Sequence, residues 1–262
     1  MGAGRISIIT ACWNAEKTLA NAMESVAMQQ GVELEYIVVD GGSTDASVSQ
    51  IESFKARHPT LPFRWISEKD RGMYDALNKG IRLATGDVVG ILNADDVLAT
   101  DDTLAHIASV FRENVDAVYA DIRFVRDGDS VEALRSAPTA RYCSARMWRP
   151  WMFRFGAMVP HPSFYVRRNC FDRLGLYSLD YRICADFELE LRFLRCAAIP
   201  AVYLPECVVV MRMGGASTAG VRATVEINRE DLRALRANGI WSCLPIIYMK
   251  YLFKVWGFLR KG

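Results

Sequence analysis

Acidic side chains follow an apolar segment at residues 88–92, which has the composition of a buried strand. The next residues are Asn93, Ala94, Asp95 and Asp96. Two neighbouring carboxylates at the end of a buried strand are costly unless a positive group neutralises them. A hard divalent cation suits such a place, because it takes oxygen ligands and can bridge to phosphates. An acidic turn is the alternative, since aspartate is also common in turns.

Two other apolar segments end in polar residues. Thr10 closes the segment 6–10, with Asn14 just beyond it, and Asp40 follows the segment 34–39. The carboxyl ends of parallel strands lie at one edge of a sheet, where open α/β sheets bind their ligands. A nucleotide fits this edge, because a carboxylate can bind its base or ribose while a metal binds its diphosphate.

The elements that position these residues alternate between strand and helix over about the first 95 residues. Another helix follows Asp40, with Ser43 or Thr44 as its cap. The alternation is typical of an α/β fold with a doubly wound parallel sheet. Hydrophobic periodicity predicts strands over 6–10, 34–39, 63–67 and 88–92, and helices over 14–28 and 73–84.

The pattern is more varied in the rest of the chain, and residues 127–160 are predicted to be irregular. The same reasoning predicts helices over 103–111, 187–196 and 221–237, and strands over 117–124, 161–167 and 201–211.

The composition excludes several classes of protein. Of the 262 residues 51% are hydrophobic, so we expect a globular protein with a full core. A net charge of +2 gives no reason to expect nucleic acid as a partner. Seven cysteines are scattered without a CxxC pair, which argues against disulfides and zinc and suits a reducing cytosol. We expect no secretory leader, and neither a GxGxxG nor a GxxxxGK(S/T) motif is present.

Four segments together resemble the GT-A glycosyltransferases of family 2. They are 8–14 (IITACWN), 38–45 (VVDGGSTD), 70–80 (DRGMYDALNKG) and 92–96 (LNADD), in the order and spacing of that family. The third is similar to the group that builds bacterial O-antigen, capsule and exopolysaccharide units. The resemblance covers roughly residues 5–215. It implies a GT-A fold, a mostly parallel sheet flanked by helices.

The resemblance also implies an organisation and a set of donor-binding residues. Residues 1–125 form the nucleotide-sugar-binding half, 126–220 the acceptor-binding half of the same domain, and 221–262 a helical tail. Asp40 is expected to bind the base or ribose, and Asp70 and Arg71 belong to a loop that closes on the nucleotide. The residues expected to bind the nucleotide sugar are Thr10, Asn14, Glu16, Asp40, Asp70, Arg71, Asn78, Asn93, Ala94 and His161.

Asp95 matches the last acid of the family's metal-binding DxD motif, which implies Mn²⁺ or Mg²⁺ as cofactor. Asn93 stands where that motif has its first acid. An amide can hydrogen-bond a ribose or a metal-bound water but supplies no charge, so we expect weaker metal binding. For His161, which lies between two prolines, a structural function is the alternative.

Asp186 aligns with the family's general base, within a segment ADFEL that resembles its ED-type motif. An inverting transfer needs such a carboxylate to remove the proton of the acceptor hydroxyl. The alternative is that Asp186 only caps a helix starting at Phe187. Glu188 and Glu190 are expected on a solvated face or behind the site. The glycine-rich segment 213–217 either faces the diphosphate with its amides or forms a surface turn.

Two segments suggest a lipid. Arginines and aromatic residues alternate over 141–155. This predicts an acceptor loop that holds a lipid diphosphate or sits at a membrane surface, and a flexible lid with packed aromatic residues is the alternative. The tail after Pro245 is mostly apolar but too short and too charged to span a bilayer. It predicts an amphipathic helix in the headgroup layer, with packing on the protein as the alternative. Its polar stripe would be Lys250, Lys254, Gly257 and Lys261.

The sequence therefore predicts a cytoplasmic inverting glycosyltransferase, peripheral on the inner face of the cell membrane. It would move a sugar from a nucleotide donor, expected to be UDP-linked, to a polyprenyl-diphosphate-linked glycan during bacterial surface polysaccharide synthesis. One alternative is a non-catalytic sugar-nucleotide-binding subunit of a polysaccharide assembly complex. A nucleotidyltransferase is the other, but no glycine-rich, lysine-bearing first loop supports it.

Overall fold

A curled sheet with helices on both faces forms the body of the protein. The computed structural model describes residues 4–214 and 220–259. Its strands are β1 (Arg5–Cys12), β2 (Glu33–Asp40), β3 (Phe63–Ser67), β4 (Val88–Ile91), β5 (Val97–Leu98), β6 (Ala117–Val125), β7 (Arg141–Cys143), β8 (Tyr165–Arg167) and β9 (Ala201–Arg212).

The strands lie in the order β3-β2-β1-β4-β8-β6-β9-β5, with β7 paired to β6. The first four are mutually parallel. β8 runs antiparallel to both β4 and β6, so β6 points the same way as β4, and β9 pairs with β6 in parallel. Six strands therefore end at one edge of the sheet, which confirms the mostly parallel α/β architecture. The predicted halves share this sheet, because strands from both are interleaved.

Alternate residues of the first strands enter two hydrophobic clusters on opposite faces. The helices are α1 (Leu19–Ala27), α2 (Ser47–Arg57), α3 (Met73–Leu83), α4 (Thr103–Val110), α5 (Val131–Ser136), α6 (Arg168–Leu174), α7 (Ala185–Glu190), α8 (Gly220–Ala237) and α9 (Leu244–Leu259). Ile9 and Val39 lie in the cluster that includes α3 and α7, whereas Ile8 and Val38 lie with α1, α2 and α4.

The start of the first helix and the cap of the second differ from the prediction. The first helix begins at Leu19, because the chain turns through Asn14 at a positive φ of 48°. Neither Ser43 nor Thr44 caps α2; instead the Asp45 carboxylate accepts from the Ser47 amide at 2.9 Å.

The strand predicted over 161–167 covers only Tyr165–Arg167, since the proline at 162 lies in a 3₁₀ turn. The stretch predicted to be irregular contains α5, β7 and a 3₁₀ turn over Pro150–Phe155. α7 continues as a π-helical turn over Leu191–Cys196. No helix in the described ranges combines the length and the apolarity that a bilayer crossing requires.

Candidate active site

Asp40, at the end of β2, organises the loop that follows it. The residue is fully buried, and its Oδ2 accepts from the amides of Gly42 and Ser43 at 3.1 and 3.0 Å and from the Ser67 hydroxyl at 2.6 Å. Burial by itself raises the pKa of Asp40, but the hydrogen bonds from Ser43 and Ser67 outweigh it and lower that pKa. With these donors in place, the carboxylate fixes the turn at residues 41–43 against the end of β3.

The loop after β1 is fastened to the same turn. The backbone amide of Asn14 donates to the Ser43 hydroxyl at 2.8 Å, and the side-chain Oδ1 of Asn14 accepts from the Thr44 amide at 2.9 Å. Glu16 accepts from the Ala46 amide at 3.0 Å. Both side chains thus join two loops at the sheet edge.

Thr10 has a different environment from Asn14 and Glu16. It is fully buried, and its Oγ1 accepts from the Tyr36 hydroxyl at 3.1 Å. This burial argues against direct contact between Thr10 and a donor, because its side chain lies inside the sheet layer below the loops.

The Asp70 loop covers the end of β2. Asp70 Oδ1 accepts from the Gly72 amide at 2.8 Å. Its Oδ2 lies so close to Gly41 that a Cβ built on this glycine would be 2.5 Å away. Arg71 is 76% exposed at its side chain and pairs with Asp75 at 3.6 Å. The loop therefore places one carboxylate against the β2 edge and one cation in solvent.

The acidic pair after β4 is buried unequally. Asp96 is only 1% exposed, and its Oδ2 accepts from the Asn93 amide at 2.8 Å. Its Oδ1 is buried with no hydrogen-bond partner in the part of the chain that the structure describes. Burial, then the neighbouring charge of Asp95, raises the pKa of Asp96 well above its usual value. Burial also raises the pKa of Asp95, and the positive charge of Arg212 offsets part of this rise.

The acidic pair suits a cation whose remaining ligands come from a nucleotide and from water. Within residues 4–214 and 220–259, no cluster of three or more histidine, cysteine or acidic side chains could hold a metal alone. Asp95, partly exposed, and the orphaned Oδ1 of Asp96 nevertheless offer carboxylate oxygens in a desolvated place. Mg²⁺ commonly takes one or two carboxylates and fills its remaining positions with water and substrate phosphates.

Asp186 lies in the first turn of α7 rather than before the helix, which corrects its predicted placement. The residue is half-buried, and its Oδ1 accepts from the Phe187 amide at 2.8 Å and from the Tyr74 hydroxyl at 3.1 Å. The Phe187 contact satisfies one of the backbone amides that the helix start leaves without an intrahelical partner. This is part of what the capping interpretation predicts. The Tyr74 contact joins Asp186 to the start of α3, next to the Asp70 loop.

Two residues grouped with the donor-binding set are buried behind this carboxylate. Asn78, 3% exposed, clamps the backbone of Tyr177 through two hydrogen bonds of 2.9 Å. His161 Nε2 lies 2.7 Å from the Tyr177 hydroxyl. Burial lowers the pKa of His161, although the negative charge of Asp186 acts to raise it. The lowered pKa favours the neutral imidazole. Both side chains are thus buried and contact Tyr177, and their binding of the nucleotide sugar stays a prediction.

Glu188 and Glu190 do not form a solvated face. Glu188 pairs with Arg192 at 2.9 Å and is 7% exposed. Glu190 is fully buried and accepts from the Val159 amide at 3.1 Å. Burial, with Asp186 adding to it, raises the pKa of Glu190 well above its usual value. Sequence periodicity could not separate these buried acids from solvated ones.

The tail helix packs on the protein where its side chains are described. Lys250 forms a buried ion pair with Asp231 at 2.7 Å, and Ile247 is fully buried in the main core. The prediction that Lys250 faces lipid headgroups was therefore wrong. Lys254, Gly257 and Lys261 lie outside the side chains that the structure describes, as do residues 215–217 of the glycine-rich segment.

Three residues of this region had no assigned function in the sequence. Tyr74 contacts Asp186, Tyr177 contacts His161, and Arg212 lies beside the acidic pair with its guanidinium on the Gly128 carbonyl at 2.8 Å. Tyr74 falls inside the segment 70–80, which offered a signal, whereas Tyr177 and Arg212 had none beyond their position near strand or helix ends.

The chain is similar to known glycosyltransferases in sequence and in fold. It is 32% identical over 206 residues to PGL/p-HBAD biosynthesis glycosyltransferases of Mycobacterium bovis and Mycobacterium tuberculosis, covering 77% of this chain and 73% of theirs. A mannosyltransferase from Pyrobaculum calidifontis, solved with GDP-Man and Mn²⁺, superposes with a TM-score of 0.62 at 20% identity over 98% of this chain and 81% of its own. Residues 1–349 of Staphylococcus aureus TarS superpose with a TM-score of 0.61 at 17% identity, over 88% and 65%.

These likenesses confirm the GT-A fold. The model of glycosyl transferase family 2 matches residues 7–174, which span β1 to α6 and include the Asp40, Asp70 and Asp95 loops. Since that match covers more than half of the chain, the protein belongs to glycosyl transferase family 2.

Proposed function

We propose that the protein transfers a sugar, with inversion, from a nucleotide sugar to a lipid-diphosphate-linked glycan. The observation that carries this proposal is the half-buried Asp186 carboxylate, fixed on Oδ1 and joined through Tyr74 to the helix that follows the Asp70 loop. A fixed carboxylate next to the donor loops is what a single displacement requires. Asp186 takes the proton of the acceptor hydroxyl, whose oxygen attacks the anomeric carbon as the bond to the diphosphate breaks.

The donor is a nucleoside diphosphate sugar, and we favour UDP. TarS has been solved with UDP and with UDP-GlcNAc. Asp70 Oδ2, set against Gly41, supplies a carboxylate that can accept from an imide N–H of the base, while Asp40 keeps the loop in shape. Asp95 would hold Mn²⁺ or Mg²⁺, which stabilises the negative charge of the departing diphosphate when bound. Arg212 adds a positive charge beside the same pair.

The acceptor proposal is supported by the surface that joins the 3₁₀ turn Pro150–Phe155 to the start of α9. Arg154 donates to the Trp241 carbonyl at 3.0 Å and lies 5.5 Å from the centre of its ring. Trp151 and Trp241 are 58% and 67% exposed. Aromatic and cationic side chains together suit an anionic lipid headgroup layer. We propose that the protein acts on the inner face of the cell membrane, in bacterial surface polysaccharide synthesis, and this surface supports the membrane contact.

The catalytic proposal is tested by turnover with UDP-, GDP- and dTDP-sugars, a polyprenyl-diphosphate-linked acceptor and Mn²⁺ or Mg²⁺. Asp186→Asn should lower kcat by about 1000-fold or more while UDP still binds, because only the proton acceptor is lost. Asp180→Asn, a nearby exposed aspartate, is the control. The anomeric configuration of the product, read by NMR, checks inversion. Near-normal turnover by Asp186→Asn would overturn the assignment of the base.

The membrane proposal has its own test, sedimentation with vesicles that contain anionic lipid. The full chain should bind them, and the double variant Trp151→Ser/Trp241→Ser should bind about tenfold more weakly, since interfacial indoles provide much of such binding. Equal binding by the variant, or no binding by the native chain, contradicts this surface as the lipid contact.

A further inference from the structure

The two oxygens of the Asp186 carboxylate have different contacts with the described residues. Oδ1 accepts from the Tyr74 hydroxyl at 3.1 Å and from the Phe187 amide at 2.8 Å. Within the described part of the chain, the structure gives Oδ2 no hydrogen-bond donor. The carboxylate is half-buried, so its two oxygens differ in what they can still bind.

Tyr74 is itself held rigidly. It is only 5% exposed, and its hydroxyl also contacts the Ile183 carbonyl, one turn before Asp186. Its ring stacks on Tyr177 with centroids 5.6 Å apart. Asn78, on the same face of α3 one turn later, clamps the backbone of Tyr177. These contacts fix the hydroxyl relative to both α3 and α7.

We propose that Tyr74 is a positioning residue that holds Oδ1 of Asp186 and so leaves Oδ2 as the atom that takes the acceptor proton. The inference rests on the proposed function, in which Asp186 is the general base. In that step the acceptor O–H bond breaks toward Oδ2 and the acceptor oxygen bonds to the anomeric carbon. The bond from that carbon to the diphosphate oxygen breaks, and its electron pair leaves with the nucleoside diphosphate.

The Tyr74 hydroxyl has one hydrogen and two acceptors, the Ile183 carbonyl and Asp186. When Asp186 is ionised, the hydrogen gains most by pointing at the carboxylate. When Oδ2 has taken a proton, the Ile183 carbonyl keeps the hydroxyl satisfied. The same tyrosine thus holds the carboxyl group before and after proton transfer without leaving a buried donor unpaired.

The charges around Asp186 make this donor important. Among the groups of the described residues whose pKa the charge of Asp186 affects, His161 is the one that could become a cation, and burial lowers its pKa. A neutral histidine provides no compensating charge, so hydrogen-bond donors carry the stabilisation of the ionised carboxylate. The titratable groups that face Asp186 are Tyr74 from α3, His161 from the 3₁₀ turn, Tyr177 from the loop after α6, Cys184 and Glu190 along α7, and Asp231 from α8.

The test is Tyr74→Phe, which keeps the ring and removes the hydroxyl. We expect kcat to fall about 10- to 100-fold, the range for losing a hydrogen bond to a charged group. UDP affinity should be unchanged, and the acidic limb of the kcat–pH profile should move to higher pH because the ionised base loses a donor. Tyr203→Phe is the matched control: it removes a hydroxyl that donates to Asp121 at 2.9 Å and not to Asp186, so the acidic limb should stay in place.

The positioning proposal alone is overturned if Tyr74→Phe keeps the native kcat and the native acidic limb of the kcat–pH profile while Asp186→Asn is inactive. Turnover by Asp186→Asn overturns the proposed function instead. The thermal unfolding of each variant shows whether a loss of activity comes from loss of the folded structure. If Tyr74→Phe does not fold, site-specific 3-fluorotyrosine at position 74 keeps the shape and makes a stronger donor. It should move the acidic limb to lower pH, and an unmoved limb contradicts the proposal.

Discussion

The two sides of the site are built from different contacts. The donor side, the loops after β1 to β4, is held by carboxylates that accept backbone amides close by, as Asp40 does from Gly42 and Ser43. The base side, α7 with Tyr74, His161 and Tyr177, is held by aromatic rings and by bonds between distant segments, such as Tyr74 to Asp186, 112 residues apart. Bonds between neighbouring loops, such as the one from the Thr44 amide to Asn14, complete the donor side once β1 to β4 have paired. The base side also needs α7, which comes about 90 residues later in the chain, to pack on α3.

If this contrast is correct, the largest effect on the donor side comes from the acidic pair. Asp95→Ala should lower UDP affinity in the presence of Mn²⁺ about 100-fold and remove the Mn²⁺ dependence of binding, because the cation loses its exposed carboxylate. Calorimetric titration of UDP with and without Mn²⁺ measures this without turnover. Asp129→Ala, an exposed aspartate elsewhere, is the control. Unchanged Mn²⁺ dependence in Asp95→Ala would falsify the metal assignment.

A smaller effect is expected where the Asp70 loop meets β2. Gly41→Ala puts a methyl group 2.5 Å from Asp70 Oδ2, so the Asp70 carboxylate must move. We expect the donor KM to rise about tenfold with kcat within about threefold, because α3 and Tyr74 stay packed. Steady-state kinetics of Gly41→Ala, Asp70→Ala and the double variant measure the coupling. Additive effects of the two substitutions would show that the contact does not matter.

The contrast also explains what the sequence could and could not predict. The parallel strands and the carboxylates at their ends follow from apolar periodicity and from the order of the strands, so Asp40 and Asp95 were found at one sheet edge. The burial of Asn78, His161 and Glu190 depends on how α7 packs on α3 and on residues around 159 and 177. No local pattern encodes such packing, and a buried polar residue on a helix has the same spacing as an exposed one.

Lys250 illustrates the same limit. In the sequence it belongs to a polar stripe, the usual sign of a helix face in water or headgroups. In the structure Asp231, on the preceding helix, neutralises it inside the protein. A charged residue on an amphipathic helix thus predicts a polar neighbour, and only the tertiary structure shows whether that neighbour is solvent or a carboxylate.

The smallest effect on activity, but a clear one on stability, is expected at Glu190. The fold raises the pKa of this fully buried carboxyl by desolvation, so the native protein keeps a proton that the unfolded chain releases above its ordinary value of 4.5. The native state binds more protons, and stability contributed by this group is complete below pH 4.5 and is lost as pH rises. Glu190→Gln keeps an acceptor for the Val159 amide and has no proton to lose.

We therefore expect the free energy of unfolding of Glu190→Gln to exceed that of the native chain at pH 8, with the difference shrinking toward pH 4.5. Urea denaturation at a series of pH values measures it, and Glu132→Gln, at an exposed site, should show no such slope. Because Oδ1 of Asp186 is held by Tyr74 rather than by Glu190, kcat should change less than about threefold. Parallel pH dependences of Glu190→Gln and the native chain would mean that Glu190 is ionised in the fold, and the base side would then contain a compensating cation.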